Sequence, residues 1–236
     1  SAHFPEKQIY RMCVASNTTM NHLFAGINAD PLRMEPYIPA FFKTNSMFAS
    51  DIGIDINQDA HIIIAPNIGS YVGGDITAGT LVSMIWNRPE FSLFIDLGTN
   101  GELVFGNSDF MMSCACSAGP AFEGGRISCG IGSVDGAVCG VDLKTGTLKT
   151  IADKPPVGLC GTGIIELVSE LLDEKIIDKT GLLNDDYFIN GYKVAEDVVF
   201  TQNDIRQVQM AKSAVRAGID VLAKSWGTEL SQIDTV

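Results

Sequence analysis

Residues 91–105 read Phe-Ser-Leu-Phe-Ile, then Asp96-Leu97-Gly98-Thr99-Asn100-Gly101-Glu102, then Leu103-Val104-Phe105. The two apolar runs, rich in branched and aromatic residues, predict buried strands. Between them stands a turn that passes straight into the second strand. This excludes the P-loop and the dinucleotide fingerprint, both of which need a helix at that point to present N–H groups and a dipole to phosphate. A carboxylate ends the first strand, where it could hold a divalent cation directly or through water and so offset its repulsion of phosphate oxygens. Glycines at 98 and 101 let backbone N–H groups approach an anion, and Thr99 and Asn100 add hydrogen-bond donors. The competing reading is a tight hairpin turn of type I′, or one with a bulge, whose Gly and Asn serve the backbone alone. A plain turn needs neither the aspartate nor the threonine.

The 236 residues suffice for one large domain or two small ones with a sizeable core. Net charge is −12, so nucleic-acid backbones and anionic membranes are excluded as expected partners. An anionic nucleotide could bind through local devices: backbone N–H groups, a helix N-terminus and a cation. No signal peptide opens the chain and no apolar run approaches the roughly 18 residues of a membrane span, so a cytoplasmic protein is expected. Six cysteines include no C-x-x-C pair, which argues against a zinc or iron–sulfur site in this chain; scattered reduced core residues are expected instead. His3, His22 and His61 are dispersed and read as structural.

Along the chain, strands are expected at 8–14, 61–65, 91–95 and 103–105, with a short helix between Ser16 and Gly26. Residues 31–60, with Pro31, Pro36 and Pro39, read as loops with short strands. A helix from about Asp75 to Trp86 is broken by Asn87-Arg88-Pro89-Glu90, which marks a domain boundary near residue 90. Hairpins are expected around Asp135-Gly136 and Lys144-Thr145-Gly146. Ile164, Ile165, Leu167, Val168, Leu171 and Leu172 lie at helical spacing. Thr201-Gln202-Asn203-Asp204 resembles a capping box opening a second long helix, and Asp234-Thr235-Val236 reads as the start of a strand.

Three further stretches carry possible chemistry. Gly158-Leu159-Cys160-Gly161-Thr162-Gly163 opens a helix and offers an anion site; equally, its glycines let the helix pack closely on a sheet. Ala118-Gly119-Pro120-Ala121-Phe122-Glu123-Gly124-Gly125-Arg126 could bring Glu123 and Arg126 to a nucleotide or a partner, or be a structural loop. Gly73-Gly74-Asp75 reads as a helix start capped by Asp75. No catalytic residue can be assigned, since no Ser–His–Asp or Cys–His set assembles.

Taken together these residues resemble the C-terminal actin-like (ASKHA) ATPase domain of the reductive activators of corrinoid proteins, the iron–sulfur proteins of corrinoid-dependent methyl transfer. The similar stretches are Ala15–Leu23, Ala65–Ile68, Gly73–Asp75, Ile95–Glu102, Ala118–Gly124, Gly158–Gly163 and Asp204–Gln209, spanning nearly the whole chain in the family's order. The resemblance implies an α/β, ribonuclease-H-like, actin-like fold in two lobes: residues 1–90 in a first, incomplete lobe and 91–236 in a second, truncated before the adenosine loop. It implies ATP binding and hydrolysis that drive an electron from an iron–sulfur cluster to a Co(II) corrinoid. Asp96, Gly98, Thr99, Asn100, Gly101, Glu102, Glu123, Gly161, Thr162 and Gly163 would bind nucleotide and phosphate, with Mg²⁺ on Asp96. The 2Fe-2S cluster would lie in the parent protein outside this chain. The implied partner is a corrinoid protein or corrinoid methyltransferase; a homodimer is left open. The family's Asp-x-Gly-Thr-Thr-Thr loop is absent, since Asp51-Ile52-Gly53-Ile54-Asp55 lacks the threonines. The chain therefore reads as a fragment, an ATPase only within a longer parent. The alternatives are a non-catalytic docking module with a vestigial phosphate loop and a small-molecule kinase of the same fold.

Overall fold

The structure is a computed structural model that describes residues 5–236; His3 lies outside the described residues. The chain divides into two compact units. The first takes the chain up to Asp96, then Glu102–Ala115 and Leu222–Val236; the second takes Leu97–Gly101 and Cys116–Val221.

The first unit opens with strand β1 (Arg11–Val14) and helix α1 (Thr18–Phe24). Asn17 caps α1, its side-chain oxygen accepting from the Met20 amide at 2.8 Å. Strand β2 (Met47–Phe48) leads into a one-turn helix α2 (Ala49–Ile52), and β3 (His61–Ile64) returns beside β1. β3 is the middle strand, parallel to β1 in the register Arg11↔His61 to Val14↔Ile64 and antiparallel to β2. Its alternate residues Ile62 and Ile64 pack with Ala49, Ile56 and Ala60 in one core cluster, the period-2 burial of a sheet covered on one face. Helix α3 (Gly74–Ser83) follows. Strands β4 (Ser92–Leu97), β5 (Gly101–Gly106) and β6 (Met111–Cys116) form a second sheet in that order. β5 supplies its buried centre, Leu103, Val104 and Phe105. Near the chain end, Thr235 forms a parallel bridge with Ser92, its carbonyl accepting from the Leu93 amide at 2.9 Å. The expected strand start is thus present as a single bridge.

In the second unit, β7 (Ala137–Asp142) pairs antiparallel with β8 (Thr147–Thr150) and parallel with β9 (Gly158–Leu159). The turn at Lys144–Gly146 makes the expected hairpin; that at Asp135–Gly136 turns the chain into β7 without a preceding partner strand. Helix α4 (Gly161–Asp173) buries Ile164, Leu167 and Leu171, while Ile165 and Leu172 are exposed, so the apolar face is narrower than its spacing suggests. After α5 (Asp185–Phe188) come the hairpin strands β10 (Tyr192–Ala195) and β11 (Val198–Phe200), then α6 (Gln202–Trp226), whose end from Leu222 belongs to the first unit.

The capping box at the start of α6 is built as expected. Asp204 accepts from the Thr201 amide and hydroxyl, each at 2.8 Å. Its other oxygen accepts from the Ser128 amide at 2.7 Å and the Ser128 hydroxyl at 3.0 Å. These four donors explain how a carboxylate can be wholly buried without a counter-ion.

Three local expectations are corrected. Asp75 is not the cap of α3: Gly73 holds that position, because a Cβ there would lie 2.5 Å from the Asn17 Cα. The cysteines are not uniformly core residues, since Cys13 is exposed and only Cys116 and Cys160 are buried. Within residues 31–60 the short strand at Met47–Phe48 is as expected, but Ala49–Ile52 forms a helical turn where only loops and short strands were expected. His22 is structural as expected: Nδ1 donates to the Thr18 carbonyl at 2.7 Å, Nε2 accepts from the Ala40 amide at 3.0 Å, and the ring stacks on Phe41. Among the described residues no helix is long and apolar enough to cross a membrane.

Candidate functional site

Strand β4 runs on through Asp96 and Leu97, and β5 begins at Gly101, so the turn proper is Gly98-Thr99-Asn100. Thr99 and Asn100 are exposed. The turn closes on itself through the Gly98 amide, which donates to the Asn100 carbonyl at 3.0 Å. No residue of the turn has a positive φ, which rules out type I′ geometry, since that requires two such residues. The glycines serve close approach instead. A Cβ at Gly98 would lie 3.3 Å from a Glu123 carboxylate oxygen, and one at Gly101 would lie 3.0 Å from Val215.

Among the described residues, the amides of Thr99 and Asn100 and the Asn100 carboxamide donate to nothing. Three donors therefore lie unengaged on an exposed turn, groups of the kind that bind an anion. The Thr99 hydroxyl donates to Glu123 Oε2, and the Thr99 carbonyl accepts from the Gly119 amide at 2.8 Å. The Ala118–Gly124 stretch is thereby fastened to the turn and brings Glu123 to it. Arg126, in the same stretch, is exposed with a φ of 61°. Glu102 is half-buried at the start of β5 and engaged by neighbours there.

In the first unit, the Asp96 carboxyl is held above its ordinary range, first by partial burial and then by the negative charge of Asp75. Asp75 is thus a site candidate that sequence reasoning assigned to capping; the period of α3 carries no hint that its first turn faces another carboxylate. Two neighbouring carboxylates without a salt-bridge partner among the described residues fit a hard divalent cation with oxygen ligands. No cluster of three or more His, Cys, Asp or Glu side chains suited to a metal occurs among the described residues.

The α4 start is a different kind of place. A Cβ at Gly161 would lie 1.9 Å from the Phe122 carbonyl oxygen, and one at Gly163 would lie 2.0 Å from that of Val138. Close packing thus accounts for both glycines. Thr162 is exposed, its hydroxyl 3.3 Å from the Cys160 sulfur. The Cys129 thiol is pushed up to about 11 by burial and by the charge of Asp204, so it is no nucleophile at neutral pH. Between α4 and α6 opens a cavity of about 510 Å³ whose lining includes Val168, Ile177 and Val208 together with Lys179, Lys212 and Arg216. Sequence reasoning passed over these cations, which come from separate segments and share no motif.

The family profile described as the C-terminal domain of RACo, the ASKHA domain, matches residues 90–236, and that of the RACo middle region matches residues 1–88. The corrinoid activation enzyme RamQ of Eubacterium limosum is 30% identical over 261 aligned positions, covering 100% of this chain and 44% of that protein. The [Co(II) methylated amine-specific corrinoid protein] reductase of Methanosarcina barkeri is 27% identical, covering 75% of this chain and 36% of that protein. A solved reductive activator for a corrinoid, iron-sulfur protein superposes with a TM-score of 0.81 at 37% identity, over 98% of this chain and 40% of its own. The chain thus spans less than half the length of each of these relatives. It belongs to the RACo family and carries that family's actin-like, ribonuclease-H-like ASKHA domain.

Proposed function

We propose that this chain is the ATP-handling part of a reductive activator, in which nucleotide binding and hydrolysis drive an electron from an iron–sulfur cluster to a Co(II) corrinoid protein. Family membership supports the role in corrinoid activation, and the relatives named above carry that activity in their names. The observation that carries the nucleotide reading is the exposed Gly98–Asn100 turn with its three uncommitted donors, which begins two residues after Asp96, a carboxylate with no salt bridge among the described residues.

The residues divide the work as follows. The amides of Thr99 and Asn100, with the Asn100 carboxamide, hold phosphate oxygens. Gly98 leaves room at the turn, and Gly101 lets the start of β5 pack against Val215. Asp96 would hold Mg²⁺, with Asp75 through water, and the ion when bound would neutralise developing charge on the phosphates. The cluster belongs to a part of the protein outside these residues, and the partner is a corrinoid protein. The division into two lobes near residue 90 is part of this proposal.

The test is calorimetric titration of Mg-ATP into the natural full-length chain and into its Asp96→Ala variant. Binding to the first, with affinity lost and the melting temperature kept in the second, is the expected result. Equal affinity in both would sink the role of Asp96. Phosphate transfer to a small acceptor instead of corrinoid-coupled hydrolysis would point to a kinase.

A further inference from the structure

We propose that Glu123 is a built-in stand-in for phosphate: its carboxylate occupies the turn, and phosphate has to displace it. The proposal rests on the reading of Gly98–Asn100 as a phosphate loop and adds a gate to it.

A threonine hydroxyl has one proton to donate, and that of Thr99 goes to Glu123 Oε2. The other carboxylate oxygen lies against Gly98, 3.3 Å from the position a Cβ would take. The two oxygens of one anion therefore sit over two consecutive residues of the turn. Glu123 has no salt bridge among the described residues, so what fixes it here is a neutral donor. A phosphate oxygen arriving at Thr99 competes for the same proton and meets the carboxylate's charge. Ground already held by one oxyanion cannot take a second without moving the first.

The backbone that carries Glu123 is held, so only the side chain has to move. Pro120–Glu123 is one 3-10 turn between Gly119 and Gly124. The Gly119 amide donates to the Thr99 carbonyl at 2.8 Å, and the Phe122 carbonyl packs against the start of α4. Behind the segment, Ser128 is tied to buried Asp204 by two hydrogen bonds. Glu123 itself is exposed, so its carboxylate can swing off the turn without the main chain following.

The experiment is calorimetric titration of Mg-ATP into the natural full-length chain, its Glu123→Ala and Glu123→Gln variants, and the Thr99→Val/Glu123→Ala double variant, with melting curves to establish folding. A stand-in predicts that Glu123→Ala binds roughly tenfold tighter than the wild type, the scale of one charged hydrogen bond. Glu123→Gln gains less, and the double variant loses the gain. If the alanine variant does not fold, the glutamine variant carries the test. Unchanged affinity overturns the proposal. Weaker binding overturns it too, by making Glu123 a ligand of the nucleotide or its cation, and leaves the nucleotide reading standing. Should neither wild type nor variants bind, the phosphate-loop reading itself falls, and the stand-in with it.

Discussion

At Gly98 an added Cβ would meet the end of a flexible glutamate at 3.3 Å, whereas at Gly161 and Gly163 it would strike carbonyl oxygens at 1.9 and 2.0 Å. Both segments are glycine-rich and carry a threonine, and both suggested an anion site. Their glycines answer different needs. In the turn, missing side chains leave space on the open side, where unengaged N–H groups collect. At the start of α4 they let two segments of main chain touch, and the space is already filled. A glycine marks closeness of approach, and only the neighbour shows whether a ligand or the protein itself arrives there.

This contrast can be broken most directly at Gly163. Gly163→Ala pushes a methyl into the Val138 carbonyl, which cannot yield without moving β7. We expect a loss of roughly 3 kcal/mol or more in urea unfolding, the upper end of overpacking costs; an unshifted midpoint would make α4's glycines ornamental. The matching change, Gly98→Ala, should cost less than about 1 kcal/mol, because the Glu123 side chain can swing aside and the backbone has no left-handed conformation to lose. Its larger effect should fall on Mg-ATP affinity, so stability and binding separate at 98 and not at 163.

The smallest effect sharpens the electrostatic side. A carboxyl whose value is raised in the folded state, as that of Asp96 is, contributes most stability below its ordinary value of 3.8 and loses it as pH climbs through the raised value. Asp75→Asn removes one of the two causes. It should lower the Asp96 midpoint in a carboxyl-detected NMR titration and stabilise the protein at neutral pH by a few tenths of a kcal/mol, after solvent screening. A midpoint that stays put would leave burial as the sole cause.

Much of this was legible in the chain as text, because the deciding interactions were short-range. The capping box needs only Thr201 and Asp204, three residues apart. The β4–turn–β5 unit needs only two apolar runs and what lies between. What stayed hidden depends on distant neighbours. Asp75 looked like a cap until Gly73 proved to hold that place, and its charge acts on Asp96 from 21 residues away in the chain. The glycines at 161 and 163 could not be told from ligand-binding ones without the Phe122 and Val138 carbonyls. The short strand Met47–Phe48 takes its pairing from Ile62 and His61, a partner that no local pattern announces. The clustering of Lys179, Lys212 and Arg216 around one cavity is likewise a product of tertiary folding.

The buried Asp204 sets an order of events in time. Its partners Ser128 and Thr201 stand on opposite sides of it in the fold but are very unequally far along the chain: the Ser128 bonds close a loop of 76 residues, the Thr201 bonds one of three. Closing the long loop costs far more chain entropy than closing the short one. The first turn of α6 can therefore form early, with its aspartate capped yet still wet. Dehydration of that carboxylate must wait for the chain at Ser128 to return, which makes the Ser128 amide a hydrogen-exchange reporter for that closure.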